Sequence, residues 1–157
     1  VARDTPATRA LTRAGVVFTV HTYEYDSNAD SAGLQAAGAL GADPAHVLKT
    51  LMAEVDGKPV CAVLPVDRTL SMKRLAAAAA GKSAAMMAPA AAERLTGYKV
   101  GGISPIGQRK PVRTWVEVSA LALPMVYLNG GQRGLQIRIE PAALLAALGA
   151  TAAPLIA

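Results

Sequence analysis

Lys49 stands inside an otherwise apolar run, HVLKTLMAEV, with the hydroxyl of Thr50 beside it. A lysine at such a strand entrance either snorkels its ammonium to the surface or points into a cleft that anions or carbonyls enter. A second stretch, VGGISPIGQRK (residues 100–110), places three glycines and a proline around Ser104, so it cannot form a regular helix. Glycines let a ligand approach main-chain N–H groups closely. Several such groups pointing one way make an anion- or carbonyl-binding concavity, which can also serve as an oxyanion hole. Pro105 stiffens this loop, and Gln108, Arg109, Lys110 and Arg113 follow it. Taken alone, it reads as a turn with solvated charges. However, NGGQRG (residues 129–134) repeats glycines beside an arginine, Arg133. Two such loops in one small chain point to a site.

Other chemistries find little support. His21 and His46 are far apart, with no cysteine pair and no HExxH spacing, so the sequence suggests no metal. The glycine loop lacks the lysine and hydroxyl residue that close a P-loop, and it is not GxGxxG. Ser104 precedes a proline outside any GxSxG elbow, which argues against a serine hydrolase. Cys61 is the only cysteine and lies in an apolar alternating run, where it is expected to pack as a small hydrophobe.

The elements that must position Lys49 and the glycine loops fit one domain spanning residues 1–157. Hydrophobic residues make up 52% but aromatics only 4%, so a few large side chains carry most of the burial. No apolar run is long enough to span a bilayer, and no signal peptide opens the chain; a soluble, cytoplasmic protein without a membrane partner is expected. The net charge of +5 suits an anionic partner, with nucleic acid the commonest for a small basic domain, or else a chain that is simply basic.

Thr5 and Pro6 read as the N-cap and first position of a helix ended by Gly15. A strand is expected over Val16–Tyr25, then a polar segment and a short helix over Leu34–Leu40. Asp56–Gly57 supplies a hairpin turn after Lys49. Ser71 caps a helix closed by Gly81, AAMMA is a short strand, and Pro89 and Gly97 bracket another helix. TWVEVSA and MVYLNGG are strand-like. GLQIRIE alternates, with Leu135, Ile137 and Ile139 on one face and Gln136, Arg138 and Glu140 on the other. PAALLAALG ends the chain as a helix. The sum is an α+β fold with a mixed, largely antiparallel sheet.

TPATRAL, HTYEYD, VLKTL, TGYKVGGISPIGQRK and NGGQRGLQI occur here in one order. In that combination the chain resembles YbaK-type proteins, the Cys-tRNA(Pro) deacylases of the prolyl-tRNA synthetase editing-domain superfamily, from about Thr5 to the final helix. The resemblance implies a sheet curled into a barrel-like core flanked by helices, and trans-editing of mischarged tRNA(Pro) without metal or cofactor. It makes mischarged tRNA, through its acceptor end, the first partner and prolyl-tRNA synthetase the second.

By the same resemblance, Lys49 is the residue on which activity depends, positioning the 3′-terminal adenosine, and Gly101 faces the acyl carbonyl. The substrate's own thiol attacks its ester. Tyr23 forms a pocket wall, Thr50 a polar contact, and Gly102, Ile103, Ser104 and Pro105 the remainder of the substrate loop. Arg109, Lys110, Arg113 and Arg133 would meet RNA. Three positions depart from the pattern: Ala32 replaces an aromatic, Asn129 lies near a serine position, and Gln136 replaces an aspartate. These departures leave open another specificity, such as Ala-tRNA(Pro), or a non-catalytic tRNA- or nucleotide-binding module. A metal-free small-molecule hydrolase has only the glycine loops in its favour. Oligomeric state is not readable from the sequence.

Overall fold

The computed structural model describes residues 3–29 and 31–157. Helix α1 (Pro6–Arg13) starts at Thr5, whose hydroxyl accepts from Thr8 N–H while the Thr8 hydroxyl accepts from Thr5 N–H, a reciprocal cap. Strand β1 occupies only Thr19–Thr22, shorter than expected. Its length is set by its partner: β7 (Leu135–Ile139) offers pairing from Arg138 to Leu135 and then ends, while Val17 is 87% exposed. Helix α2 (Ala32–Leu40) begins two residues before the expected Leu34, because the Ser31 hydroxyl caps Leu34 N–H. Asp30, in the polar segment before it, lies outside the described residues.

The hairpin of β2 (Leu48–Val55) and β3 (Lys58–Pro65) turns on Asp56 and Gly57, both at positive φ, as a two-residue hairpin turn demands. Helix α3 (Met72–Ala78), strand β4 (Ala84–Met86) and helix α4 (Pro89–Thr96) follow. Strand β5 (Arg113–Glu117) stops before the end of TWVEVSA, where the Glu117 carboxylate accepts Ser119 N–H and starts a 3-10 turn over Val118–Ala122. Strand β6 (Val126–Gln132), β7 and helix α5 (Pro141–Leu148) lead to a strand missing from the sequence reading, β8 (Thr151–Ala153).

The strands divide into an antiparallel sheet, β1-β7-β6, and a mixed sheet, β4-β2-β3-β5-β8, in which β3/β5 and β5/β8 run parallel. A bridge between Val47 and Tyr127 joins them, and no closed barrel forms among the described residues. The main core includes Met52, Cys61, Val63, Val116, Leu128, Ile137 and Ile139. A second core sets Val60, Ala62, Leu64 and Trp115 against Leu75 of α3 and Leu155. Thus β3 is buried on both faces and reads as a continuous apolar run. On β7, Leu135, Ile137 and Ile139 are fully buried, which leaves the opposite face of the small sheet to carry the site.

Candidate active site

That opposite face presents Tyr23, just past β1, Gln136 on β7 and Asn129 on β6 to a cavity of about 330 Å³. Its other walls are β2 from Leu48 to Met52, the start of α2, Met86 and Met87, the first turn of α4, and the glycine loop at Val100, Gly101 and Ile103. Helix α2 comes close because residue 33 is a glycine: a Cβ there would sit 2.4 Å from Val66 Cγ1. This contact brings Ala32 to the cavity wall.

Lys49 is the one charged side chain among the described lining residues. Burial lowers its pKa from the ordinary lysine value, and the carboxylate of Asp67 opposes that shift. Three buried polar atoms of the lining, Tyr23 Oη, Thr50 Oγ1 and Gln136 Oε1, make no close hydrogen bond among the described residues, although the Tyr23 hydroxyl lies near enough to the Gln136 side chain to interact with it. Gln136 is only 3% exposed. Burial raises the Tyr23 pKa, so the phenol is a neutral O–H donor. Leaving such groups unpaired costs about 1–3 kcal/mol each, a cost that a bound polar ligand relieves.

The two glycine loops are joined at Gly101. Asn129 Nδ2 donates to Gly101 O at 3.2 Å and to Gln132 O at 3.3 Å, while its Oδ1 accepts from Gly131 N–H at 2.7 Å and from Gln132 N–H at 3.2 Å. The Asn129 side chain thereby fills a register shift in β6. Arg133 Nε donates to Val100 O at 2.9 Å, and its guanidinium lies 5.7 Å from the Tyr25 ring centre. Glu93, on α4, accepts Val100 N–H at 2.8 Å. Among the described residues Gly101 N–H donates to nothing. It belongs to the same trans peptide as Val100 O, so it is directed away from Arg133.

Of the residues singled out from sequence, Lys49, Thr50, Tyr23, Ala32, Gly101, Ile103, Asn129 and Gln136 line this one cavity. Gly102, Ser104 and Pro105 do not. Gly102 packs on the β6–β7 turn, where a Cβ would lie 2.8 Å from Arg133 N. Ser104 is fully buried and its hydroxyl accepts Ile106 N–H at 3.2 Å, the part of a loop shaper. Pro105 lines a separate groove beside α1. Arg133 stands at the cavity through Val100, whereas Arg109, Lys110 and Arg113 lie outside the lining. Arg113 rests on Trp115 and donates to Ala79 O.

Sequence reasoning missed the three methionines of the cavity wall, Met52, Met86 and Met87, which looked like ordinary strand residues. It also missed Tyr98, whose hydroxyl donates to Ile106 O at 2.6 Å across the glycine loop.

Among the described lining residues the hydroxyls of Ser31 and Thr50 have no histidine or carboxylate beside them to act as a base, and no cysteine is present. Cys61 is fully buried beside its cross-strand partner Met52 and is not among the lining residues, and burial raises its pKa to about 12. His21 turns to Thr19 and packs edge-on against Tyr127. Among the described residues no group of three or more His, Cys, Asp or Glu could hold a metal ion, and no helix is long and apolar enough to cross a membrane.

Residues 26–147 match the model of the aminoacyl-tRNA editing domain. The chain belongs to that family. A curated relative from Enterococcus faecalis (strain ATCC 700802 / V583), provisionally named Cys-tRNA(Pro)/Cys-tRNA(Cys) deacylase EbsC, is 35% identical over 126 residues, 78% of this chain and 76% of the relative. A crystal structure provisionally described as a trans-editing enzyme for prolyl-tRNA synthetase superposes with a TM-score of 0.84 at 25% identity, covering 99% of each chain. The hypothetical protein APE2540 shares the fold, with a TM-score of 0.87 at 22% identity over 98% of this chain and 100% of its own. As an editing domain, the chain is an enzyme of the aminoacyl-tRNA deacylase class.

Proposed function

We propose that this editing domain acts in trans on mischarged tRNA(Pro), with Cys-tRNA(Pro) as its principal substrate and prolyl-tRNA synthetase as its working partner. The observation that supports the mechanism is a cavity holding Lys49 as its one charge, whose hydroxyls (Tyr23, Ser31 and Thr50) have no histidine or carboxylate base beside them among the described lining residues. A site so equipped orients an ester and leaves bond-making to the substrate.

Lys49 holds the terminal adenosine through its phosphate or ribose. Gly101 N–H supports the carbonyl oxygen as negative charge develops on it. The cysteinyl sulfur bonds to its own carbonyl carbon, the bond from that carbon to the ribose oxygen breaks, and the thiol proton passes to the departing ribose hydroxyl. The released thiolactone then takes up water to give free cysteine. Holding an intramolecular nucleophile in place can contribute roughly 7–11 kcal/mol at the upper end.

A second reading, removal of another amino acid such as alanine, is favoured by Ala32 and Gln136, which alter the wall and polarity of the cavity. One panel decides between them: hydrolysis of cysteinyl-, alanyl- and prolyl-tRNA(Pro) by wild type and Lys49→Ala. The main reading expects cysteinyl turnover that Lys49→Ala abolishes. Turnover of alanyl substrate alone would favour the second. No turnover of any substrate, with tRNA binding retained, would leave a binding module.

A further inference from the structure

Two contacts hold the exposed guanidinium of Arg133, in the turn between β6 and β7, beside the cavity. Its Nε donates to Val100 O at 2.9 Å, and its Cζ lies over the Tyr25 ring, 5.7 Å from the ring centre. No carboxylate pairs with it among the described residues. Tyr25 is fixed in its turn from two sides. A Cβ on Gly101 would lie 2.7 Å from Tyr25 Oη, so the phenol reaches the glycine loop. Gln35 of α2 clamps the next residue, donating from Nε2 to Asp26 O at 2.9 Å and accepting Asp26 N–H at 2.6 Å. Val100, whose carbonyl orients Arg133, lines the cavity and is 44% exposed, one of five large apolar residues left exposed among the described residues. A guanidinium backed by an aromatic ring, with an apolar side chain beside it, is a surface on which a nucleobase stacks.

The terminal ribose of an acylated RNA carries both the acyl group and the last base. With the acyl group in the cavity beside Gly101, that base falls at the adjoining rim, where Val100 and Arg133 stand. We propose that Arg133, backed by Tyr25, is the platform on which the substrate's terminal base stacks, with Val100 at its edge. Arg133 touches the base, and Tyr25 is a positioning residue that acts through Arg133. Stacking uses the face of the guanidinium, so the N–H groups in its plane remain available to phosphate. Every base has a π face, so the platform adds affinity and places the ribose rather than reading the base by hydrogen bonds.

The inference rests on the deacylase reading and is tested by binding. The probe is a microhelix of the tRNA(Pro) acceptor stem that carries cysteine on its terminal ribose through a non-hydrolysable amide. Two versions, one with the terminal adenine and one with an abasic terminal ribose, are titrated against the full chain. Wild type is expected to bind the adenine version at least about fivefold more tightly, the effect of one base stack. Arg133→Lys keeps the charge and loses the plane, so it should bind both versions about equally while its salt dependence stays that of wild type. Tyr25→Phe keeps the ring and should keep the preference, whereas Tyr25→Leu should weaken it. If Arg133 and Tyr25 only brace the turn, their substitution weakens both versions by the same factor and leaves the preference intact. That result, equal affinity of wild type for the two versions, or no binding of either, would overturn the inference. Turnover of aminoacyl-tRNA(Pro) without a base preference sinks this inference and spares the deacylase reading. A base preference that Arg133→Lys removes, in a protein that turns over no aminoacyl-tRNA, sinks that reading and spares this one.

Discussion

Asn129 Nδ2 lies 3.2 Å from Gly101 O, and this hydrogen bond, with that from Arg133 Nε to Val100 O, ties the second glycine loop to the first beside the cavity. Asn129→Asp keeps the acceptors for Gly131 and Gln132 N–H but sets a carboxylate against the carbonyl oxygens of Gly101 and Gln132. Its deacylation kcat/KM is expected to fall by at least about tenfold, the equivalent of one lost hydrogen bond at the reacting centre. Retained activity in this variant would remove Asn129 from the set of positioning residues.

Gly101 adopts φ +89°, and a Cβ there would meet Tyr25 Oη at 2.7 Å. Gly101→Ala is therefore expected to destabilise the fold by about 1–3 kcal/mol in urea unfolding, since backbone strain and steric contact act together. Adding Tyr25→Phe removes the contacting oxygen and should recover only the steric share. Full recovery would mean that the backbone conformation carries no cost.

Lys49 is pulled below the ordinary lysine pKa by burial, with Asp67 acting in the opposite sense. If its ammonium binds the substrate, kcat/KM falls on the alkaline side at a pH lower than an exposed lysine would give. Lys49→Arg, always charged, moves that limb upward even where the rate is reduced. For stability the sign is reversed from that of a paired lysine. A depressed lysine pKa penalises the fold while the group is protonated, and the penalty lifts as pH rises through the folded pKa. An alkaline limb identical in Lys49→Arg and wild type would assign it to another group.

The elements around Lys49 were legible because local signals agreed there: Asp56–Gly57 at the turn, Ser71 and Pro89 at helix starts, and the alternation of Leu135, Ile137 and Ile139. β8 was invisible because Thr151–Ala153 carries no pattern of its own. It is a strand because β5 lies parallel beside it and Glu117 holds Leu155 N–H. The extra length expected for β1 had the right residue types but no partner beyond β7. At the site, glycines and Lys49 announce themselves by composition. That Ser104 faces inward depends on how the loop folds back on Tyr98 and β6, and that three methionines line the cavity depends on how β2 and β4 pair, which residue types do not encode.

Glu117 is 2% exposed, and its carboxylate accepts Leu155 N–H and Ser119 N–H, both at 2.8 Å. Burial by itself raises its pKa, but these N–H donors outweigh it and hold the group below the usual 4.5. The stabilisation is therefore present above the unfolded carboxyl's pKa and is lost as pH falls through the lower folded value. Glu117→Gln should lower stability at pH 7 by about 1–3 kcal/mol and flatten the acid side of the Tm-versus-pH curve. An unchanged acid slope would shift that role to other carboxylates.

Arg133 donates only its Nε to Val100 O, and its residue is exposed beside the cavity mouth, so its terminal N–H groups are placed to meet phosphate on an acceptor strand. Arg113 is instead tied to Ala79 O and Trp115 on the larger sheet. In tRNA-binding measurements over a range of salt, Arg133→Ala should reduce the slope of log K against log[salt] by about 0.7–0.9 and raise KM. Arg113→Ala should leave both nearly unchanged. Equal losses for the two would indicate that RNA runs across the larger sheet as well as the cavity mouth, with the TWVE strand part of the binding surface.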